Sequence, residues 1–217
     1  MKSYVRNLFK STADHARYWR ERKIDWRTSY YDTWNHPHRQ LISFVLKTFD
    51  WRSLFEVGVG GGANLAQLVM SHGPNKQLGG SDVSEDAIAF CNQALKGAFF
   101  KVCPATDLMM SDSSVDVVLS DMALIYLDSK DIDKALLEMK RVARTRVVLC
   151  EFHSESMWER LKIKVTTGYN VYDYVKRLQK LGFYDVIRYK IPKEGWPGGG
   201  LQEKVGYVVV AKVPRRK

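Results

Sequence analysis

Ser53-Leu54-Phe55-Glu56-Val57-Gly58-Val59-Gly60-Gly61-Gly62-Ala63-Asn64-Leu65 is the stretch that decides the fold. A short apolar run breaks into glycines, and a helical face follows at once. Asn64 to His72 carries Leu65, Leu68 and Val69 on one side and stops at Gly73-Pro74. Gln77 to Val83 predicts a second strand ending at Asp82. Ser84 then caps a helix through Leu95, with Glu85 and Asp86 in the first turn, where the helix dipole favours acids. Val115 to Leu119 suits a strand buried on both faces. Lys130 to Ala143 predicts a helix turning Ile132, Leu136, Met139 and Val142 to a sheet, and Arg146 to Phe152 a further strand. Asn170 is expected to cap a helix with Val171, Val175, Leu178 and Leu181 inward and Gly182 at its end. Asp185 to Ile191 and Val205 to Val213 predict two strands whose connection is too short for a crossover helix, hence an antiparallel hairpin. Alternating strands and helices imply an α/β fold with a doubly wound, mostly parallel sheet. In such sheets ligands bind beyond the carboxyl ends of the strands, where the strand order reverses, so the glycine loop marks a site.

Outward from this core, residues 1–50 read differently. They hold Trp19, Trp26 and Trp34, with Trp51 just beyond, together with Tyr4, Tyr18, Tyr30, Tyr31 and many basic residues. The expected organisation is an N-terminal aromatic and basic helical cap over 1–50, followed by a ligand-binding α/β domain over 51–217. Of the formal charge of +10, from 34 Lys+Arg against 24 Asp+Glu, half falls within residues 1–30. There Lys2, Arg6, Lys10, Arg17, Arg20, Arg22, Lys23 and Arg27 stand against Asp14, Glu21 and Asp25. The tail adds Lys212, Arg215, Arg216 and Lys217. Basic residues interleaved with aromatics suit an RNA binder, and a solvated helix face reads much the same.

Composition excludes several classes. Hydrophobic residues at 45% and charged residues at 27% rule out wholesale disorder. No run of 18 apolar residues is present to span a membrane, and the start leads into charged sequence, not into a secretory signal. Cys91, Cys103 and Cys150 are odd in number and lack metal-ligand spacing. They read as small buried residues of a reduced, cytoplasmic protein with no membrane partner. His36 and His38 are too close in sequence to form a metal site without further ligands, so no metal is expected.

The glycine loop fits two cofactor patterns. As G-x-G-x-x-A, Gly58, Gly60 and Ala63 suit a dinucleotide, with Asp82 placed for a ribose hydroxyl. As acidic-x-G-x-G-x-G, Glu56, Gly58, Gly60 and Gly62 resemble the first motif of class I S-adenosylmethionine-dependent methyltransferases. Glu56 favours the second. A carboxylate in an apolar strand is costly, and it gains nothing beside an anionic pyrophosphate. S-adenosylmethionine carries an ammonium and a sulfonium, to which an acid is complementary. Gly80-Ser81-Asp82-Val83-Ser84 resembles the family's second-strand motif. Asp107-Leu108 and Asp112 to Val118 resemble the stretch entering the fourth strand, and Ser120 to Leu127 the segment after it in the small-molecule ("type 11") branch.

The resemblance implies a Rossmann-like seven-stranded sheet with an antiparallel final strand, S-adenosylmethionine as cofactor and S-adenosylhomocysteine as product. It implies a cofactor site of Glu56, Gly58, Gly60, Gly62, Asp82, Val83, Thr106, Asp107 and Ser120. The family usually has an Asp two residues before Thr106; here Pro104 stands there, leaving Thr106, Asp107 or packing alone to hold adenine. Asp121 and His153, each following a strand, are the catalytic candidates, a base being needed only for a hydroxyl or a protonated amine. Ser120-Asp121-Met122-Ala123 lacks the Asn/Asp-Pro-Pro-aromatic run of amino-directed DNA enzymes, and that region lacks the nucleophilic Cys of pyrimidine C5 enzymes.

The expected activity is methyl transfer to an O or N atom of a small, anionic or aromatic metabolite. The alternatives are an RNA- or nucleotide-directed methyltransferase and a non-catalytic S-adenosylmethionine-binding module. Tyr30 to Arg39 is expected to lie over the mouth of the site as a lid, the alternative being that Trp19, Trp26 and Trp34 form the core of an added helical layer. Trp196 to Gly200 reads as a flexible hairpin connection, or as an anion-binding nest.

Overall fold

The structure is a computed structural model that describes residues 10–214. Tyr4, Lys2, Arg6, Arg215, Arg216 and Lys217 lie outside the described residues. Among the described residues three helices come first: α1 (Thr12–Glu21), α2 (Trp26–Ser29) and α3 (Pro37–Leu46). The alternating core then runs β1 (Ser53–Val57), α4 (Ala63–His72), β2 (Gln77–Asp82), α5 (Glu85–Ala94), β3 (Phe99–Val102), β4 (Val115–Asp121), α6 (Ile132–Val142) and β5 (Ala143–Phe152). It closes with α7 (Met157–Thr167), α8 (Tyr174–Lys180), β6 (Tyr184–Lys190), α9 (Leu201–Val205) and β7 (Gly206–Lys212).

The seven strands form one sheet in the order β3-β2-β1-β4-β5-β7-β6. All pairs are parallel except those of β7, which runs antiparallel to both β5 and β6. The predicted closing hairpin is therefore present. The order reverses between β1 and β4, and their register sets Val57 beside Ser120, so the glycine loop and Asp121 leave the sheet side by side. Every residue of β1 is buried, including Glu56.

Each sheet face carries its own core. On one, Ile132, Leu136 and Met139 of α6 and Leu178 of α8 pack on Phe55, Val118 and Val147. On the other, Ile42 and Leu46 of α3 join Leu65, Leu68 and Ile88 over Leu54, Val117 and Val148. Each such side chain contributes roughly 1.5–3 kcal/mol by leaving water.

Three elements depart from expectation. Asn170 does not cap the following helix. Its side chain and its backbone N–H donate to the Ile125 carbonyl, at 3.2 and 2.8 Å, and Tyr172 bridges to His153, which holds this stretch extended. Helix α8 begins at Tyr174 instead, capped by Asp173 accepting from the Lys176 N–H. Helix α7 was not predicted, because Ile163 is its one buried residue and no apolar stripe betrays it. Strand β3 is a short edge strand, partly exposed throughout, with no clear alternation to read.

Candidate functional site

A cavity of about 450 Å³ opens at the carboxyl ends of β1, β2, β4 and β5, where the strand order reverses. Its floor is the glycine loop. Gly58 has φ +73, and a Cβ there would lie 2.3 Å from the Ala123 Cβ, so only glycine lets the loop meet the turn after β4. A Cβ on Gly61 would sit 2.8 Å from the Trp26 carbonyl oxygen, so the N-terminal segment packs directly on the loop. Asp82 braces the loop from the end of β2: Oδ2 accepts from the Gly60 N–H at 3.0 Å and Oδ1 from the Ser84 N–H at 2.9 Å. Burial raises its pKa, and those backbone bonds oppose the rise.

Two further carboxylates lie at the sheet's centre. Glu56, 2% exposed, accepts from the Asn64 Nδ2 at 2.6 Å through Oε1, while its buried Oε2 has no partner. Burial pushes its pKa up to about 8, against the bond from Asn64 and with the help of Asp121. Asp121 is held the other way. Its Oδ2 accepts from His38 Nε2 at 3.0 Å, Arg39 Nη1 at 3.0 Å and Asn64 Nδ2 at 2.9 Å. Burial works to raise its pKa, but His38, Arg39 and Asn64 outweigh it and hold the carboxyl well below the usual carboxylate range. Its Oδ1 is likewise buried and unpartnered.

His38 and Arg39 reach the site from the start of α3, whose Pro37 occupies the first turn and whose cap is His36. Arg39 is fixed by the Thr33 carbonyl at 3.1 Å and by Asn64 Oδ1 at 3.0 Å. Trp196, from the β6–β7 connection, lies over both imidazoles, 4.1 Å from the His38 ring and 5.0 Å from that of His36. That connection is therefore a wall of the cavity, built from the 3-10 turn at Lys193–Gly195 and α9.

Aromatic side chains line much of the rest of the cavity. Trp19, Trp26 and Tyr30 face it from the N-terminal helices, and Tyr126, Phe152 and Tyr169 from the core. Trp19 and Tyr126 meet edge to face at 5.5 Å, and Tyr126 meets Tyr169 at 5.7 Å. The indole N–H groups of Trp19 and Trp26 are buried without partners. Burial, with Tyr169 adding to it, pushes the Tyr126 phenol far above its ordinary pKa. The turn bearing Tyr126 is positioned by buried Glu151. Its Oε1 accepts from Ser120 Oγ at 2.8 Å and from the Ala123 and Leu124 N–H groups at 3.0 Å. Burial raises the Glu151 pKa to about 8.

Of the residues singled out in the sequence, Glu56, Gly58, Gly60, Asp82, Val83, Thr106 and Asp121 line this one cavity. Gly62 caps α4 behind it. Ser120 is spent on Glu151. Asp107 turns away and accepts from the Met109 N–H at 3.3 Å, leaving Cys103, Pro104, Ala105 and Thr106 as the wall. His153 is 2% exposed and does not line the cavity. Its Nδ1 accepts from the Tyr174 N–H at 3.1 Å, and its Nε2 faces Arg188 at 2.8 Å. Burial raises the thiol pKa of Cys91, Cys103 and Cys150, to about 12 for Cys91.

Sequence reasoning missed the roles of His38, Asn64 and Glu151, and did not single out His15. Buried carboxylates were the available signal, since each demands partners. Among the described residues, no group of three or more His, Cys, Asp or Glu is placed to hold a metal, and no helix is long and apolar enough to cross a membrane.

Comparison with known proteins gives this geometry its context. Residues 55–150 match the family model described as "Methyltransferase domain". A search of curated proteins gave no match. Among solved structures, magnesium protoporphyrin IX methyltransferase from Synechocystis PCC 6803, with bound S-adenosylhomocysteine, is similar over 99% of this chain and 100% of its own, at TM-score 0.61 and 16% identity. A chain of the complex between the Haloferax volcanii Trm112 methyltransferase activator and its methyltransferase is similar over 84% and 91%, at TM-score 0.64 and 17% identity. The CurJ carbon methyltransferase is similar over 98% and 67%, at TM-score 0.62 and 15% identity. Residues 55–150 thus match a methyltransferase domain, in a fold shared with these solved methyltransferases. The fold alone does not fix the atom methylated, since carbon methyltransferases share it.

Proposed function

We propose, from the premise of an S-adenosylmethionine-dependent methyltransferase domain, that this chain methylates an O or N atom of a small aromatic acceptor enclosed under its N-terminal helices. The observation that carries this reading is the aromatic half of the cavity, lined by Trp19, Trp26, Tyr30, Tyr126, Phe152 and Tyr169. Flat apolar ligands are held by such walls, and a few polar groups fix their orientation.

The other half fits the methyl donor. Buried Glu56 Oε2 and Asp121 Oδ1 lack partners, and an ammonium group supplies what both need. Asp82 has lone pairs left for ribose hydroxyls, and the wall of Cys103 to Thr106 suits an adenine held by packing. The donor supplies an activated methyl on a sulfonium; the protein's share is to orient the acceptor and exclude water. Asp121 belongs to the holding machinery and is not the base. A carboxylate kept so far below the usual range, and tied to His38, Arg39 and Asn64, is a poor proton acceptor. His153 lies outside the cavity and takes no part in the chemistry.

Calorimetry with S-adenosylhomocysteine and a survey with methyl-labelled donor test this reading. Binding that Asp82→Ala weakens at least tenfold, with label transferred to phenols or aromatic amines, supports it. Binding without transfer to any small aromatic would leave a non-catalytic module, and label appearing only in RNA would move the acceptor to a polymer. Either result overturns the proposal.

A further inference from the structure

The proposed acceptor chamber contains an imidazole whose Nε2 nothing in the protein engages. His15 is 7% exposed and lines the cavity, and its Nε2 is buried without a hydrogen-bond partner. The other four histidines each have a ring nitrogen engaged: His36 and His38 with each other, His38 with Asp121, His72 with Ser43, and His153 with Tyr174 and Arg188.

We propose that His15 is a catalytic residue whose Nε2 takes the hydroxyl proton of a phenol-type acceptor during methyl transfer. This rests on the acceptor reading above and deepens it.

The placement of His15 is firm. Helix α1 starts with a capping box between Ser11 and Asp14. It is pinned to the core by a reciprocal pair: the Thr12 N–H donates to Asp128 Oδ2 at 3.2 Å, and the Asp128 N–H donates to Thr12 Oγ1 at 3.0 Å. Lys164 of α7 adds a bond to the Lys10 carbonyl at 3.3 Å. These contacts bring the His15 ring to 5.2 Å from that of Tyr126, within the aromatic lining.

The tautomer follows from the ring's surroundings. The Gly168 carbonyl, at the end of α7, lies near the ring and favours its protonated form. Since Nε2 has no partner, the ring proton is placed on Nδ1, which leaves the Nε2 lone pair free. The charged and titratable groups around the ring are Lys10 and Asp14 of its own segment, Lys164 of α7 and the Tyr126 phenol. Burial lowers the imidazole pKa, Lys164 and Lys10 add to this, and Asp14 opposes it. The ring is therefore neutral at pH 7 and open to a proton. In the step itself, an acceptor oxygen lone pair forms the new O–CH3 bond as the carbon–sulfur bond of the donor breaks. That bond's electron pair stays on sulfur, and the hydroxyl proton passes to His15 Nε2 and from there to water.

The test uses the whole protein with S-adenosylhomocysteine or S-adenosylmethionine, and 4-methylphenol as the probe, whose hydroxyl has a pKa of about 10. Nitrogen-15 imidazole spectra of the S-adenosylhomocysteine complex at pH 7 should show His15 neutral, with the proton on Nδ1, and its Nε2 signal should move when 4-methylphenol is added. In methyl transfer, His15→Gln should lose about 10²–10³-fold in kcat with KM within about twofold. The wild-type rate should fall only below pH 6.5, as His15 gains its proton, whereas the variant's rate should climb steadily toward pH 10 as solvent ionises the phenol. An Nε2–H tautomer, equal pH profiles for the two proteins, or a complex that ignores 4-methylphenol overturns the assignment. Failure of S-adenosylhomocysteine to bind at all would instead bring down the methyl-transfer reading itself. An amide spectrum and S-adenosylhomocysteine affinity matching wild type show that His15→Gln remains folded.

Discussion

Glu56→Gln is the perturbation whose consequences the structure fixes most closely. With a pKa of about 8 in the folded chain, about nine in ten Glu56 side chains hold a proton at pH 7. An ammonium ligand at the unpartnered Oε2 needs the ionised form. Binding of S-adenosylhomocysteine should therefore release about 0.9 proton at pH 7 and about half a proton at pH 8. Affinity should accordingly rise about tenfold per pH unit up to pH 8 and flatten above it. Titration calorimetry in buffers of different ionisation enthalpy reads the proton count directly. Stability gives an independent check. The unfolded chain loses this proton near pH 4.5 while the folded chain keeps it to about 8, so stability is full below 4.5 and drains away as pH rises through 8. At about 1.4 kcal/mol per pH unit, the wild type should lose about 3 kcal/mol relative to Glu56→Gln between pH 4.5 and 7, measurable by urea unfolding. Binding that releases no proton, or a Glu56→Gln variant with the wild type's pH dependence, would refute the reasoning.

Arg39→Met strips a buried partner from Asp121 and should cost about 3–5 kcal/mol in urea unfolding at pH 7. Glu151→Leu removes the acceptor for Ser120, Ala123 and Leu124 and should cost about 2–4 kcal/mol, while Glu151→Gln, which keeps an acceptor oxygen, should cost less than half of that. His153→Asn should leave S-adenosylhomocysteine affinity within twofold while lowering stability by about 1–3 kcal/mol, because the Tyr174 N–H loses its partner; a large affinity loss would return His153 to the site. RNA retained in gel-shift assays at 20 mM salt should be released by about 200 mM, since contacts from exposed Lys and Arg to phosphates would carry the binding.

What the sequence made legible was local. Glu56, the glycines and Asp82 sit on a strand, its turn and the next strand end, where spacing alone sets their positions. The network around Asp121 was hidden because its members come from three separate segments: His38 and Arg39 on α3, Asn64 on α4, and Asp121 at the end of β4. Only the packing of α3 on the sheet brings them together. His153 misled because strand ends were equated with cavity walls. Phe152 does face the cavity, and the next residue along an extended chain points the other way. His15 gave no signal, since a single histidine in a polar helix has neither period nor motif.

The basic and aromatic mixture of the N-terminal segment, one feature in the sequence, separates into two faces in the structure. Trp19, Trp26 and Tyr30 turn inward to the cavity. Arg17, Arg20, Arg22, Lys23 and Arg27 stay outside, where Lys23 pairs with Asp86 at 2.6 Å and the Arg27 guanidinium lies 5.7 Å from the Tyr31 ring centre. A surface that binds single-stranded nucleic acid needs stacking rings and cations on the same side. Here Trp19, Trp26 and Tyr30 line the cavity while Tyr18 stays on the outer face beside Arg22, and the indole N–H groups of Trp19 and Trp26 and the His15 Nε2 are left without partners. Burying three polar atoms unpaired is costly unless a ligand completes them. The same helices thus account for both observations: their charge keeps the outer face solvated, and Trp19, Trp26 and Tyr30 line the cavity.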